Sequence, residues 1–93
     1  MKDFYQLICT YDRSTNIVDI YDSYEGAYQA MLEDFASVVD YSVDALQEYL
    51  EDAAGDADIN DWSAWTNHRH DNCDWSIICL RYDSGKLSSI MPL

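Results

Sequence analysis

The chain has 93 residues, with 18 Asp and Glu against 5 Lys and Arg, for a formal net charge of -13. That length is one small domain, residues 1–93, with no room for a second core. The charge excludes direct binding to nucleic acid or to an anionic membrane surface, both of which would repel it, and favours a basic partner.

At 48% hydrophobic and 14% aromatic residues, the chain has enough apolar material to fold under a charge that would signal disorder in an aromatic-poor sequence. Cys9, Cys73 and Cys79 are an odd number with no CxxC pair, and Cys9 and Cys79 sit in apolar runs where a thiol behaves as a small hydrophobe. The N-terminus MKDFYQLICTYD lacks the apolar segment of a signal peptide, and no run approaches the roughly 18 apolar residues of a membrane span. The expectation is a reduced, soluble protein of the cytoplasm.

Phe4 to Tyr11 reads as a strand, with Tyr5, Leu7, Cys9 and Tyr11 on one face and Phe4 and Ile8 on the other. Both faces are apolar, which suits a central position. Asp12 to Asn16 is a polar loop of hairpin length, and Ile17 to Tyr21 a second strand with Val18 and Ile20 alternating against Asp19.

A first helix starts at Ser23 or Asp22 as N-cap, with Glu25 in the first turn where the dipole favours an anion. Stepping from Ala27, the residues Tyr24, Tyr28, Met31, Leu32, Phe35, Val38 and Val39 fall within about 140° of arc, a core-facing stripe. Glu25, Gln29, Glu33, Ser37 and Asp40 lie opposite, with Asp34 at the edge. After a bend at Asp40-Tyr41-Ser42, Ser42 caps a second helix through Val43, Leu46, Tyr49, Leu50 and Ala53, ended by Gly55. Its outer side carries Asp44, Glu48, Glu51 and Asp52.

DADIND then reads as a polar connector. Trp75 to Tyr82 is the strongest strand pattern, with Trp75, Ile77 and Cys79 on one face, and Ser63 to His68 pairs with it as a hairpin. Asp83-Ser84-Gly85 signals a turn before a last strand, Lys86 to Met91. The order ββααββ(β) implies an α+β domain, an antiparallel sheet of four to five strands with two helices on one face.

Asp56, Asp58 and Asn60 have the 1, 3, 5 spacing of a calcium-binding loop, but position six is Asp61 in place of Gly and position twelve Asn67 in place of the bidentate Glu. The stretch reads as solvated acids. His68, His70 and Cys73 bring imidazole and thiolate donors close together, as a zinc site or a small thiol enzyme would, with no fourth ligand or orienting partner evident; the alternative is a polar turn. The three glycines form no phosphate-cradling loop. No cofactor is expected, and no enzyme.

What remains is the acid rim. Carboxylates three or four residues apart on a helix lie roughly 5–6 Å apart at Cβ, close to the spacing of phosphates along a strand. A row of them can imitate nucleic acid, with Tyr41, Tyr49, Trp62 and Trp65 as apolar anchors. With its acid-rich helices YEGAYQAMLEDF and VDALQEYLEDAAGDADIND, the chain resembles the small inhibitors of phages and mobile elements, notably anti-CRISPR and other DNA-mimic proteins. Its segments FYQLICTYD and DWSIICL also resemble small proteins of Gram-positive bacteria and their phages.

The resemblance implies an inhibitor that covers the basic surface of a Cas effector such as Cas9, acting as a monomer or weak dimer. The partner-binding residues expected from charge are Glu25, Glu33, Asp34, Asp40, Asp44, Glu48, Glu51, Asp52, Asp56, Asp58 and Asp61, with Tyr41, Tyr49 and Trp62. A small metal- or thiol-dependent enzyme using His68, His70 and Cys73 is the second reading, and a module that dimerises through its Tyr and Trp surface the third.

Overall fold

In the computed structural model, residues 2–11, 14–53, 55–67 and 72–90 are described. The chain runs β1 (Lys2–Tyr11), β2 (Ser14–Tyr21), α1 (Tyr24–Val39), a 3-10 turn (Val43–Ala45), α2 (Leu46–Ala53), β3 (Ala57–Ile59), β4 (Ser63–Thr66), β5 (Cys73–Asp83) and β6 (Lys86–Ile90). It is the expected α+β fold, with helices on one face of an antiparallel sheet in the order β2-β1-β5-β4-β3, and β6 also on β5.

β5 organises the sheet because its eleven residues pair on both sides. β1 follows one edge from Tyr82↔Lys2 to Cys73↔Tyr11. The other edge is shared end to end, by β4 at Cys73 to Ser76 and by β6 at Cys79 to Asp83. The alternation read from the sequence holds: Trp75, Ile77 and Cys79 are buried against the helices, together with Leu7 from β1 and Ala64 and Thr66 from β4.

α1 meets this surface through Ala27, Met31, Phe35 and Val39, with Tyr24, Tyr28, Leu32 and Val38 half-buried at the margins; Ala36 is buried as well. Ser23 is its N-cap, the side-chain oxygen accepting from the Gly26 N–H at 3.1 Å. Asp40 ends it in the left-handed region at φ 61°, a conformation that Asp tolerates better than most residues, and the Tyr41 N–H returns to the Ala36 carbonyl. The bend expected at Asp40-Tyr41-Ser42 is therefore a true helix end. Ser42 stands at the cap position of the 3-10 turn, but its side chain makes no cap hydrogen bond, and its carbonyl accepts from Ala45 instead. Gly55, at φ 98°, follows α2 as expected.

Three expectations need correction. The connector DADIND contains β3, whose Ala57 and Ile59 turn towards the helices while Asp58 faces away, so the sheet has six strands. The first hairpin loop is shorter than expected, since Ser14, Thr15 and Asn16 belong to β2; Asp12 and Arg13 lie outside the described residues. In β2 a bulge between Leu7 and Ile8 shifts the register, so that Ile17, not Val18, shares a face with Ile20. The last turn is as expected: Ser84 and Gly85, at φ 53° and 82°, form the two-residue loop with positive φ that suits a tight hairpin.

Trp75 is the centre of the core, 1% exposed, its ring 5.1 Å from that of Phe35. Its indole N–H donates to the Asp34 carboxylate at 2.6 Å, a bond to a charged acceptor that contributes about 1.5–3 kcal/mol. Replacing Trp75 with Phe is expected to cost about 3 kcal/mol, from the lost bond and the smaller ring, and Phe35→Ala about 3–5 kcal/mol. Chemical denaturation of the two variants checks both values.

Candidate functional site

Between Arg13 and Arg69 the sequence holds 13 acids and no Lys or Arg. Twelve of them are exposed, Asp34 alone being half-buried. α1 contributes Glu25 and Glu33, the turn after it Asp40, the 3-10 turn Asp44, and α2 Glu48, Glu51 and Asp52, with Asp56 and Asp61 beyond. Those on the helical segments are outward for the same reason: the apolar stripe of each helix is packed inward.

Local electrostatics disfavours several of these positions. Asp40 caps the C-terminus of α1 and Asp52 lies in the last turn of α2, where the helix dipole is negative and neither helix has a basic residue. Glu48 and Asp52 are a like-charged i, i+4 pair, which costs a few tenths of a kcal/mol. Among the described residues the only ion pair joins Arg81 to Asp3, at 2.8 Å and 3.2 Å, and holds the Asp3 carboxyl below its ordinary range. It lies near the end of β1 and β5 remote from α2.

Not every expected residue stands on this surface. Tyr49 is buried, its hydroxyl bonded to that of Thr66 at 2.6 Å and its ring 5.8 Å from Phe35, so it is a core residue and no partner's anchor. Asp34 is turned inward to Trp75. Asp58 projects to the opposite side of the sheet, beside Trp65 on β4. Trp62 is half-buried, stacked on Tyr24 at 4.8 Å between ring centres, while the Tyr24 hydroxyl donates to the Asp61 carbonyl. This aromatic latch fastens the start of α1 to the β3–β4 turn. Tyr41 remains an exposed aromatic, edge-on to Tyr49.

The sequence did not mark the groove beside the rim. Tyr28 and Leu32 of α1, Val43, Leu46, Gln47 and Leu50 of the second helical segment, and Ile59 of β3 line a depression of about 210 Å³. That is below the roughly 300–1,000 Å³ of small-ligand sites.

The chemical alternatives find less support. Asn60 does not face a cation: its side-chain oxygen accepts from Trp62 N, Ser63 N and Ser63 Oγ, which forms the turn into β4. Asp58 is a strand residue, so the three calcium-spaced oxygens do not converge, and among the described residues no group of three His, Cys, Asp or Glu is placed to hold a metal. His68 and His70 lie outside the described residues, whereas Cys73 is 1% exposed on the core face of β5. None of the three cysteines is in a disulfide. Burial, reinforced by the nearby Asp34 carboxylate, pushes the Cys9 thiol up to about 11.

Compared with family models, with curated proteins and with solved structures, the chain finds no match in any of the three.

The thiolate is the reactive form, so a raised thiol is a quiet one. Iodoacetamide near neutral pH is expected to label none of the three cysteines at the rate of an exposed thiol until the chain is unfolded, as followed by mass spectrometry. Burial also raises the phenols of Tyr5, Tyr21 and Tyr24 above their ordinary 10.0. All four groups stabilise the fold in their neutral form. Their contribution is complete below the unfolded values, 9.0 for the thiol and 10.0 for the phenols, and is lost as pH rises through the higher folded ones. Denaturation midpoints are therefore expected to hold up to about pH 9 and fall above it.

Proposed function

We propose that the chain is a non-enzymatic binding protein whose acidic helix layer occupies the basic, nucleic-acid-binding surface of a partner protein and blocks it. A CRISPR-Cas effector is the partner class that the resemblance to anti-CRISPR inhibitors implies.

The observation that carries this reading is the placing of the acids more than their number. A surface that only had to be soluble would gain from Lys or Arg at the helix C-termini and at i, i+4 from Glu. From Arg13 to Arg69 this chain has neither cation, and it puts Asp40 and Asp52 at helix ends that oppose them. Local rules broken with no local compensation are expected where a surface serves a partner. On the second helical segment Asp44, Glu48, Glu51 and Asp52 follow at i, i+4, i+7 and i+8, a row at the spacing a phosphate-binding groove accepts. The shallow depression alongside, lined by Tyr28, Gln47 and Leu50 among others, gives a partner's side chain a place to sit.

Such binding has two signatures. It weakens with salt, because the Debye length shrinks from about 10 Å at 0.1 M to about 3 Å at 1 M. It also competes with the partner's own nucleic acid. Replacing Glu33, Glu51 and Asp52 together with Lys is expected to weaken binding to a purified Cas effector at least tenfold, about 1.4 kcal/mol. The melting temperature should hold or rise, since Glu48 then has opposite charges at i+3 and i+4 and the C-terminus of α2 gains a cation. Calorimetric titration at low and high salt, with and without the effector's nucleic acid, measures both. Binding indifferent to salt and to the three reversals would sink the reading.

A further inference from the structure

The side of the sheet turned away from the helices carries an apolar patch that no described element covers. Phe4 and Ile8 of β1, Ile78 and Leu80 of β5, and Ile17 and Ile20 of β2 all point to it, and the register makes them neighbours: Phe4↔Leu80, Gln6↔Ile78, Gln6↔Ile20 and Ile8↔Ile17. Ile17 is 61% exposed and Ile20 50%, and among the residues of this face whose side chains are described none is buried. The bulge opposite Leu7 and Ile8 puts Ile17 in the patch in place of Val18. Among the described residues no element packs on this face.

We propose that this face is the contact surface of a symmetric dimer, in which two copies stack sheet on sheet. Three observations name a second copy as the occupant. The first is area. The rows of β2, β1, β5 and the β4/β6 strands span about 19 Å at ~4.8 Å per strand, and ten residues of β1 about 33 Å at ~3.3 Å each. The resulting ~600 Å² approaches the ~800 Å² that each partner gives to a standard stable interface, and an apolar centre is the mark of contacts between identical chains.

The second is where the charges are not. The middle of the face carries no acid, whereas the helix layer carries nine or more exposed ones. Two copies of a chain at -13 meet with least repulsion through this face. Sheets stacked ~10 Å apart, each backed by a helix layer ~10 Å thick, hold the two acid rims some 30–40 Å apart, several Debye lengths at physiological salt.

The third is the polarity of the ends. Lys2, its ammonium 5.1 Å from the Phe4 ring centre, stands at one end of the face, and Asp74, opposite Thr10, at the other. A two-fold axis lying across the strands through Gln6 reverses the second copy, so that Gln6 lies over its own counterpart and Lys2 of each molecule lies over Thr10 of the other, one strand from Asp74. The contact is isologous and closes on itself, leaving an acid rim on each outer side.

The dimer and the partner interaction respond to salt with opposite sign. Salt screens the residual repulsion between copies and tightens the dimer, whereas it loosens a charge-driven partner contact. Sedimentation velocity on the purified chain at micromolar concentration is expected to give a dimer that strengthens from low to high salt. Ile78→Glu, with a native circular dichroism spectrum and a cooperative melt, should sediment as a monomer, and the milder Leu80→Thr should weaken the dimer measurably if Ile78→Glu fails to fold.

Gln6→Cys should form a disulfide-linked dimer on mild oxidation, and Gln29→Cys, on the outer side of α1, should not. A wild-type chain that is monomeric at every salt concentration overturns the proposal, as does a dimer untouched by both face variants or linked equally through the two cysteines. The Lys reversals at Glu33, Glu51 and Asp52 leave the dimer intact, so failure of one proposal is distinguishable from failure of the other.

Discussion

The seating of α1 on Trp75 is the contact on which the rest depends. A tryptophan buried to 1% with its indole N–H inside the protein must find an acceptor, and Asp34 supplies one from the helix directly above. Together with the ring of Phe35 at 5.1 Å, that bond fixes the rotation of α1 about its axis. With the rotation fixed, Glu25 and Glu33 have no choice of direction, and the second helical segment, packed on Phe35 through Tyr49, inherits its own. The orientation of the acid layer is thus decided by one polar contact and a handful of apolar ones, none of which belongs to the surface itself.

The same contact shows why composition alone could not assign the acids. Of 13 carboxylates between Arg13 and Arg69, Asp34 is the one drawn inward. In the sequence it stands at the edge of the stripe, one step from Glu33, and nothing local separates it from its neighbours. Its partner is 41 residues away. Tyr49 is the converse case: its spacing with Leu46, Leu50 and Ala53 puts it on the inner side, yet it also reads as an aromatic anchor for a partner, and its hydroxyl is bonded to Thr66 in the core.

Helix periodicity made α1 legible almost residue by residue, including the Ser23 cap, because the pattern is sixteen residues long and each turn repeats the evidence. The faces of β5 and the Ser84-Gly85 turn were legible for similar reasons. β3 was not: three residues in an acidic run have no period of their own, and Ala57–Ile59 is a strand only because β4 lies beside it. The bulge was equally invisible. Strand reading assumes strict alternation, and one extra residue between the Ile8↔Ile17 and Leu7↔Asp19 pairs exchanges Val18 for Ile17 on the open face.

The fold has two surfaces of opposite character on a sheet only one layer thick. The helix side spends its apolar residues on the core and shows acids to solvent; the open side keeps its acids at one end and shows isoleucine, leucine and phenylalanine. In a chain at -13, every association must either cancel the charge or avoid it. The proposed basic partner on the helix layer does the first, and the proposed second copy on the open face does the second. The two are compatible because the sheet keeps them apart.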